Sequence, residues 1–280
     1  MNDRIAGRLL TAVLATLSLL SCMVSCEKAN NNLTAQSTVK IYLTDDPGAY
    51  REAWLDIKNV LVQVSTDTTV PGASGTWVPS SSFTPGRYDL LQYRNGADTA
   101  IAAVSVPAGT VSRIQLVLGS SNTLVLDDGQ TVTLHAPSDI YCEAKLIVNG
   151  EERTPGLSYD LVLDFDVARS INKAGSSDSS VDYSFVPYVR AFSKEAGASV
   201  EGWVVPTEAH PYVLATDAAR DTITAVPDAN GYYKFWGIPT GIYTLHFVPD
   251  AATGYQASVL TGIKASAGVV FTADTVKLTR

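Results

Sequence analysis

Residues 227–245 read PDANGYYKFWGIPTGIYTL, and this stretch decides the fold of the C-terminal part of the chain. Asn230-Gly231 and Pro239-Thr240-Gly241 have the composition of tight turns, because glycine and asparagine tolerate the positive φ angles that hairpin turns require. Between these turns, inward and outward positions alternate over residues 232–235, as expected for a strand with one buried face. The stretch therefore predicts antiparallel strands joined by short turns.

Short strands with similar turns surround this hairpin from residue 198 to the end of the chain. The predicted strands are Ala198–Val205, Pro211–Thr216, Thr222–Val226, Tyr232–Phe235, Gly241–Val248, Tyr255–Leu260 and Val269–Leu278. Seven short strands in 83 residues are close to the size of an immunoglobulin-like sandwich, which takes about 100 residues. Residues 198–280 are therefore predicted to form one β-sandwich.

The preceding segment, 38–192, shows the same β pattern over a greater length. Its predicted strands are residues 39–43, 53–64, 87–93, 111–118, 123–126, 131–135, 144–148, 159–166 and 183–191, and residues 171–182 are predicted to form a long loop. Within 53–64 the apolar positions change from odd to even numbers, and such a change requires one extra residue in the strand. We therefore expect a β-bulge near Lys58-Asn59.

Helical signals are weak throughout the chain, and clusters of turn-forming residues recur every 8–15 residues. This spacing is typical of sandwiches and barrels. A short polar run at 193–197 separates the two β segments. The sequence therefore predicts an all-β protein with two tandem β-sandwich domains, 38–192 and 198–280, after a lipoprotein signal peptide.

The N-terminal residues have the composition of an export signal. Arg4 and Arg8 precede an apolar run at 9–20, which is shorter than the about 20 residues of a membrane span. Cys22 follows Leu19-Leu20-Ser21, a good lipobox, whereas Cys26 has a looser lipobox and a polar tract after it. Either cysteine is a candidate for lipidation.

These features predict a signal peptide over residues 1–21 (or 1–25) and a lipidated tether over 22–37. A lipobox anchor carries several acyl chains and therefore gives a more stable membrane attachment than one chain does. The expected location is the outer membrane, with the periplasmic and the surface side both open.

Composition limits the partners and the redox chemistry. Without residues 1–21 the chain carries 18 basic and 27 acidic side chains, a net charge near −9. An acidic surface disfavours nucleic acid and anionic headgroups as partners. Cys142 is the one cysteine of the two predicted domains, so we expect no disulfide framework there and a buried, apolar role for this thiol.

The two predicted domains each resemble a known family. Residues 198–204 and 227–245 resemble the carboxypeptidase-regulatory-like (transthyretin-type) domains, which have a carbohydrate-binding-like fold. The first segment resembles the domain-of-unknown-function family DUF4382 of Bacteroidota envelope lipoproteins, through residues 43–47, 54–64, 88–91, 95–96, 106–110, 113–118, 163–166 and 185–190. The resemblance implies β-sandwiches and a lipoprotein of Bacteroidota. It implies no activity, and binding of carbohydrate or protein follows by analogy alone.

The sequence gives little indication of catalysis. His135, His210 and His246 are far apart in the chain and belong to no metal-binding or nucleophile motif. Cys142 has no neighbouring histidine, and a thiol without a nearby base or cation is a poor nucleophile. We expect a protein that is not an enzyme and has no cofactor. The alternative is an enzyme of the envelope, or an accessory subunit of one, with an unrecognised site.

Carboxylates provide a weak signal for a metal ion. Asp45 and Asp46 lie in one predicted turn, and Asp164 and Asp166 are expected about 7 Å apart on the outer face of one strand. If they converged, they could contribute to the about six to eight oxygen ligands of Ca²⁺. The competing interpretation is a turn-capping role for Asp45 and solvation of the outer carboxylates.

Aromatic residues provide candidates for a sugar-binding platform. Trp236, beside Gly237 in a predicted turn, is the leading candidate, together with Trp203 and Tyr232. The competing interpretation is burial in the sandwich core, since aromatic residues dominate core packing. We expect a non-catalytic binding or structural module whose partners are the membrane and a glycan or an envelope protein. A ligand is expected between the two domains or on the second one.

Overall fold

The computed structural model describes residues 36–46, 50–65, 75–80, 82–107, 109–148, 158–174 and 182–280 of the 280-residue chain. Cys22 and Cys26 lie outside the described residues. The described part is built mainly from β-strands, which confirms the all-β prediction. No helix in these ranges is long and apolar enough to cross a membrane.

The strands are numbered in chain order. Among the described residues, one short α-helix, α1, spans Val167–Ser170, and short 3-10 helices span Leu90–Gln92, Thr207–Ala209 and Ala251–Thr253. The strands are β1 Ser37–Asp46, β2 Glu52–Ser65, β3 Thr76–Pro79, β4 Gly86–Asp89, β5 Thr99–Val106, β6 Gly109–Leu118, β7 Thr123–Val125, β8 Thr131–His135, β9 Asp139–Val148, β10 Ser158–Asp166, β11 Ile171–Ala174, β12 Asp182–Phe185, β13 Val189–Ser193, β14 Ala198–Val205, β15 Tyr212–Thr216, β16 Thr222–Ala225, β17 Tyr232–Ile238, β18 Gly241–Val248, β19 Ser258–Ala265, β20 Val270–Thr272 and β21 Val276–Lys277.

The first sandwich packs a four-stranded sheet against a larger one. The smaller sheet has the order β13-β10-β1-β5, with β1 and β10 parallel at its centre. The larger sheet has the order β11-β12-β8-β7-β2-β6-β9, and β3 and β4 also pair with β2. Side chains from both sheets form one core, including Ile41, Leu55, Ile114 and Phe165. Burial of apolar side chains from both inner faces is the main stabilising contribution of such a sandwich.

Strand β2 contains the predicted bulge. Its register against β6 shifts between Ile57 and Asn59, so the intervening Lys58 stays out of the ladder. Leu55 and Ile57 before the shift and Val60 after it are all fully buried. The extra residue therefore keeps both halves of β2 facing the same core, as the change of parity predicted.

The second sandwich contains two four-stranded sheets. One has the order β17-β14-β20, with β21 also paired to β14, and the other has the order β16-β15-β18-β19. Tyr233 packs edge-to-face against Phe235 and Phe247 in a separate core, with ring centroids 5.9 and 5.6 Å apart. The turn before β17 closes through Gly231, whose φ of 80° favours glycine. Both cores lie within one compact unit, Ala35–Arg280.

Three strands had no predicted counterpart, two predicted strands are each divided into two, and one was misplaced. The strand predicted at 183–191 is β12 and β13, and the one predicted at 269–278 is β20 and β21. Strands β3, β5 and β11 were not expected, and β11 lies where a loop was predicted. In β11 only the first of four residues is buried, so no alternation signals it. In β5 small Ala and Ser residues obscure the alternation. The strand predicted at 255–260 in fact spans Ser258–Ala265, that is, β19.

Candidate binding surfaces

Arg190 joins the two sandwiches. It lies on β13, and its guanidinium forms an ion pair with Asp164 of the neighbouring β10. The same guanidinium donates two hydrogen bonds of 2.7 Å to the carbonyl oxygens of Trp236 and Gly237 in the second sandwich. Because Arg has five N–H donors in a planar fork, one side chain can satisfy a carboxylate and two carbonyls together.

A second polar contact lies at the loop after Leu90–Gln92. Asn95 adopts a left-handed conformation with φ of 57°, and its amide donates to the carbonyl of Val226 over 3.1 Å. Its side-chain oxygen accepts a hydrogen bond from the backbone N–H of Lys234 at 3.4 Å. Asn95 therefore covers part of the free edge of β17, which would otherwise expose unpaired backbone groups.

Trp236 is part of this junction and lies within strand β17, so the turn predicted for it is wrong. Its ring packs edge-to-face on Phe192 of the first sandwich, with centroids 5.5 Å apart. Gly237 follows with φ of 62°, and a Cβ atom there would approach the Phe192 ring to 2.2 Å. The position therefore requires glycine for its backbone conformation and for its close contact. Trp236 therefore packs between the sandwiches, whereas the other two predicted platform residues pack against each other.

Asp164 was predicted on a solvated outer face, and this is wrong. Its side chain is only 4% exposed, because the second sandwich and Arg190 cover this face of β10. Burial raises the pKa of Asp164 to about 6, and the neighbouring Arg190 opposes this rise. An outward-facing strand position became a buried one because another β-sheet unit covers it.

The four carboxylates proposed for Ca²⁺ do not converge. In the parallel pairing of β1 and β10, Asp45 lies opposite Phe165 and Asp46 lies opposite Asp166. Side chains alternate along a strand, so Asp45 points to the face opposite from Asp164 and Asp166. Asp45 is buried and accepts a hydrogen bond from the Val167 N–H at 3.3 Å.

The remaining carboxylates of this set have other roles. Asp166 caps α1 by accepting a 2.9 Å hydrogen bond from the Arg169 N–H, and Asp164 pairs with Arg190. The side chain of Asp46 lies outside the described residues. Within the ranges that the structure describes, no three His, Cys, Asp or Glu side chains gather in an arrangement suited to a metal ion. Asp45 therefore lies apart from Asp164 and Asp166, and a Ca²⁺ site on these residues stays a prediction.

A cleft of about 450 Å³ opens beside Arg190. Both sandwiches line it, with Asp164, Asp166, Arg169, Tyr188, Arg190, Arg220, Asp221, Thr222, Ile223 and Pro239. In the first sandwich, the guanidinium of Arg169 lies 3.7 Å from the centre of the Tyr188 ring. This cation–π contact holds two of the lining side chains in place. The sequence placed a ligand between the domains but gave no signal for Arg190, beyond its place in the motif Phe185–Arg190.

Trp203 and Tyr232 form a second candidate surface. They are opposite each other on β14 and β17, and their ring centroids are 5.3 Å apart with a 55° tilt. The Tyr232 hydroxyl donates to Glu201 over 2.9 Å, and Lys234 lies 3.5 Å from the same carboxylate. Burial and Glu201 raise the pKa of Tyr232, so this phenol stays protonated and remains a donor. Trp203 is 37% exposed, and the structure therefore brings together two of the three predicted platform residues.

The cysteine has the inert environment that its sequence context predicted. Cys142 is only 3% exposed in β9. Burial raises the pKa of its thiol to about 12, with smaller contributions from Glu143 and Asp164. The reactive thiolate is therefore disfavoured at neutral pH.

Strand β20 leaves an apolar edge at one side of the second sandwich. Val269, Val270 and Phe271 are 50%, 51% and 36% exposed. The Val269 carbonyl and the Ala273 N–H bond to β14, so the intervening backbone groups of Val270 and Thr272 point to the open edge. An exposed apolar edge is a template for pairing with another strand.

Comparisons with known proteins identify the first sandwich. Residues 36–187 match the model of the family described as "Domain of unknown function (DUF4382)". This match covers more than half of the chain. No curated protein matches the sequence.

Solved structures share only distant likeness with the chain. The Bacillus anthracis TIE protein is 11% identical, with 87% of this chain and 34% of that chain covered and a TM-score of 0.22. The chain therefore spans about a third of that protein's length. A streptococcal ancillary pilin is 11% identical over 86% of this chain and 68% of its own, with a TM-score of 0.24. The minor pilin GBS52 of Streptococcus agalactiae is 11% identical over 88% and 96%, with a TM-score of 0.23. These TM-scores are too low for the likenesses to carry an argument.

Proposed function

This chain belongs to the DUF4382 family, and from that premise we propose that it is a non-catalytic glycan-binding module of the cell envelope. A lipid on Cys22 or Cys26 would hold it at the outer membrane, as the lipobox pattern suggests. The second sandwich, whose sequence resembles carboxypeptidase-regulatory-like domains, would lie farther from the anchor and carry the ligand.

The Trp203–Tyr232 pair with Glu201 and Lys234 is the observation that carries the proposal. An exposed aromatic ring can pack against the C–H face of a sugar, and the adjacent carboxylate and ammonium can bind its hydroxyls. The hydrogen bond and the ion pair hold Glu201, Tyr232 and Lys234 in place before a ligand arrives. Preorganised groups lose little conformational entropy on binding.

Calorimetric titration with neutral oligosaccharides tests the proposal. We expect binding to the full chain, a rise in melting temperature with ligand, and the loss of one binding site per chain in Trp203→Ala. Trp77→Ala is the matched control, because Trp77 lies on β3 of the first sandwich. Equal binding by the wild type and Trp203→Ala would exclude this platform. Ca²⁺ belongs in the same panel as a test of the predicted metal site at Asp45, Asp46, Asp164 and Asp166.

The N-terminal anchor has a separate test. Metabolic labelling with a fatty acid should mark the wild-type protein, and the label should disappear in one of the variants Cys22→Ala and Cys26→Ala. Label that persists in both single variants but not in the double variant would assign both cysteines. An unlabelled wild type would remove the lipid from the proposal.

Surface assembly is a second candidate function, favoured by the apolar edge at β20. An envelope protein could add a strand there through the outward N–H and C=O groups of Val270 and Thr272. Sedimentation of the protein with envelope extracts, and alone, should show a complex that Val270→Lys abolishes. Val259→Lys on β19 is the control, since Val259 is similarly exposed at 49%. An envelope enzyme, or an accessory subunit of one, would instead reveal itself by turnover of a bound glycan.

A further inference from the structure

We infer that the cleft between the sandwiches is a carbohydrate subsite of its own, which binds uncharged pyranose rings through groups from both sandwiches. The inference rests on the proposed function for its ligand class, but on a different set of residues. Its volume of about 450 Å³ falls within the range of small-molecule sites, about 300–1,000 Å³. Its lining is mainly polar, which favours a ligand with many hydroxyl groups over an apolar one.

The wall from the first sandwich is held in a fixed arrangement. Arg190 is anchored by Asp164 and by two carbonyls of the second sandwich. Arg169 is anchored over Tyr188 and lies 3.9 Å from the Asp166 carboxylate. These groups need little rearrangement when a ligand enters, and their remaining N–H donors and oxygen acceptors can bind hydroxyl groups.

The wall from the second sandwich carries two charged side chains, Arg220 and Asp221. The β15–β16 turn presents Arg220, whose φ of 69° places it in the left-handed region, and Asp221 follows. Among the described residues, neither of these two side chains forms an ion pair. An adjacent guanidinium and carboxylate offer donors and acceptors to vicinal hydroxyls, as a sugar ring presents them.

The charge balance of the cleft sets the class of sugar. Three carboxylates and three guanidinium groups line it, at Asp164, Asp166, Asp221, Arg169, Arg190 and Arg220. A charged ligand would be attracted by one set of side chains and repelled by the other. Hydroxyl groups, in contrast, can donate to the carboxylates and accept from the guanidinium groups. An uncharged sugar therefore fits best.

Apolar surface in the cleft suits the C–H faces of a pyranose. Tyr188 is 48% exposed, and Ile223 and Pro239 line the opposite wall. A ring placed between them would contact both sandwiches. The cleft thus combines polar orientation with apolar contact, the usual composition of a specific small-molecule site.

Blocking the cleft at its rim provides the test. Thr222→Trp places a bulky ring at an exposed lining position of β16. Thr261→Trp is the matched control, because Thr261 is an exposed threonine on β19 at the opposite edge of the same sheet. Calorimetric titration of the full chain with maltose, cellobiose and lactose should show at least tenfold weaker binding at one of two sites in Thr222→Trp. Thr261→Trp should bind like the wild type, and both variants should melt cooperatively.

The outcomes separate this inference from the proposed function. If Thr222→Trp bound sugar with wild-type affinity and Trp203→Ala lost all binding, the cleft would not be a sugar site and the aromatic platform would be the one binding site. Loss of binding in Thr222→Trp alone would support the cleft and overturn the platform. No binding of any sugar would overturn both. Tighter binding of glucuronic acid than of the neutral sugars would overturn the assignment of an uncharged ligand.

Discussion

Two acidic residues at outward-facing strand positions, Asp164 in β10 and Glu201 in β14, have different environments. Asp164 is 4% exposed, pairs with Arg190 and lies under the second sandwich. Glu201 has a side chain that is 21% exposed, lies 3.5 Å from Lys234 and accepts hydrogen bonds from the hydroxyls of Tyr232 and Thr272. The strand pattern is the same in both places, so the neighbouring sandwich decides which carboxylate is buried.

This difference in burial explains why the Arg190–Asp164 pair joins the sandwiches, whereas the Lys234–Glu201 pair remains available to a ligand. A buried carboxylate needs its cation, because an unpaired charge in a low-dielectric interior is strongly unfavourable. A partly solvated carboxylate keeps water and hydroxyl partners when its cation is removed. The same substitution should therefore have different effects in the two pairs.

The largest expected effect is that of Arg190→Met, which keeps an apolar side chain but removes the cation. It leaves Asp164 buried without its partner and two junction carbonyls without a donor. We expect a loss of about 3–5 kcal/mol in the free energy of unfolding, measured with urea.

Arg113→Met is the control for Arg190→Met, since the Arg113–Glu143 pair has side chains that are 50% and 72% exposed. Exposed pairs contribute about 0–1 kcal/mol. Equal losses in the two variants would contradict the distinction between the buried and the exposed pair.

The pH dependence of the free energy of unfolding should reveal the burial of Asp164. Burial raises the pKa of Asp164 from 3.8 to about 6, so the folded protein binds this proton more tightly than the unfolded chain. The stability that protonation contributes is fully present below the ordinary pKa and is lost as the pH rises through about 6. The unfolding free energy of the wild type, relative to Asp164→Asn, should therefore rise between pH 7.5 and pH 5. A constant difference, or a fall on acidification, would contradict this environment.

The sequence predicted elements whose signals are local. The bulge of β2 follows from the parity of its own side chains, and the bounds of β14 and β18 follow from their turns. The cover over Asp164 could not be predicted, because it depends on Arg190, Trp236 and Gly237 from distant positions in the chain. Of the candidate sites, Trp203 and Tyr232 could be predicted from their aromatic residue type, whereas the cleft depends on how two sandwiches meet.

A smaller effect on stability is expected for two buried tyrosine hydroxyls, one with a hydrogen-bond partner and one without a partner among the described residues. The Tyr243 hydroxyl donates to the Pro239 carbonyl at 2.9 Å, whereas the buried Tyr233 hydroxyl has no hydrogen-bond partner among the described residues. Tyr243→Phe should lose about 1 kcal/mol, and Tyr233→Phe should be neutral or gain about 1 kcal/mol. Urea unfolding of the two variants checks this pair. A loss in Tyr233→Phe as large as in Tyr243→Phe would indicate a partner for the Tyr233 hydroxyl.

The smallest expected effect is that of Lys234→Met, the same kind of substitution as Arg190→Met in the more exposed pair. The methionine keeps the apolar stem that packs near Gly96. Glu201 retains the hydroxyls of Tyr232 and Thr272, at 2.9 and 3.3 Å, so its charge stays solvated and hydrogen-bonded. We expect a loss of at most about 1 kcal/mol by urea unfolding. A loss as large as that of Arg190→Met would mean that Glu201 depends on its cation as Asp164 does, and that solvent exposure does not distinguish the two pairs.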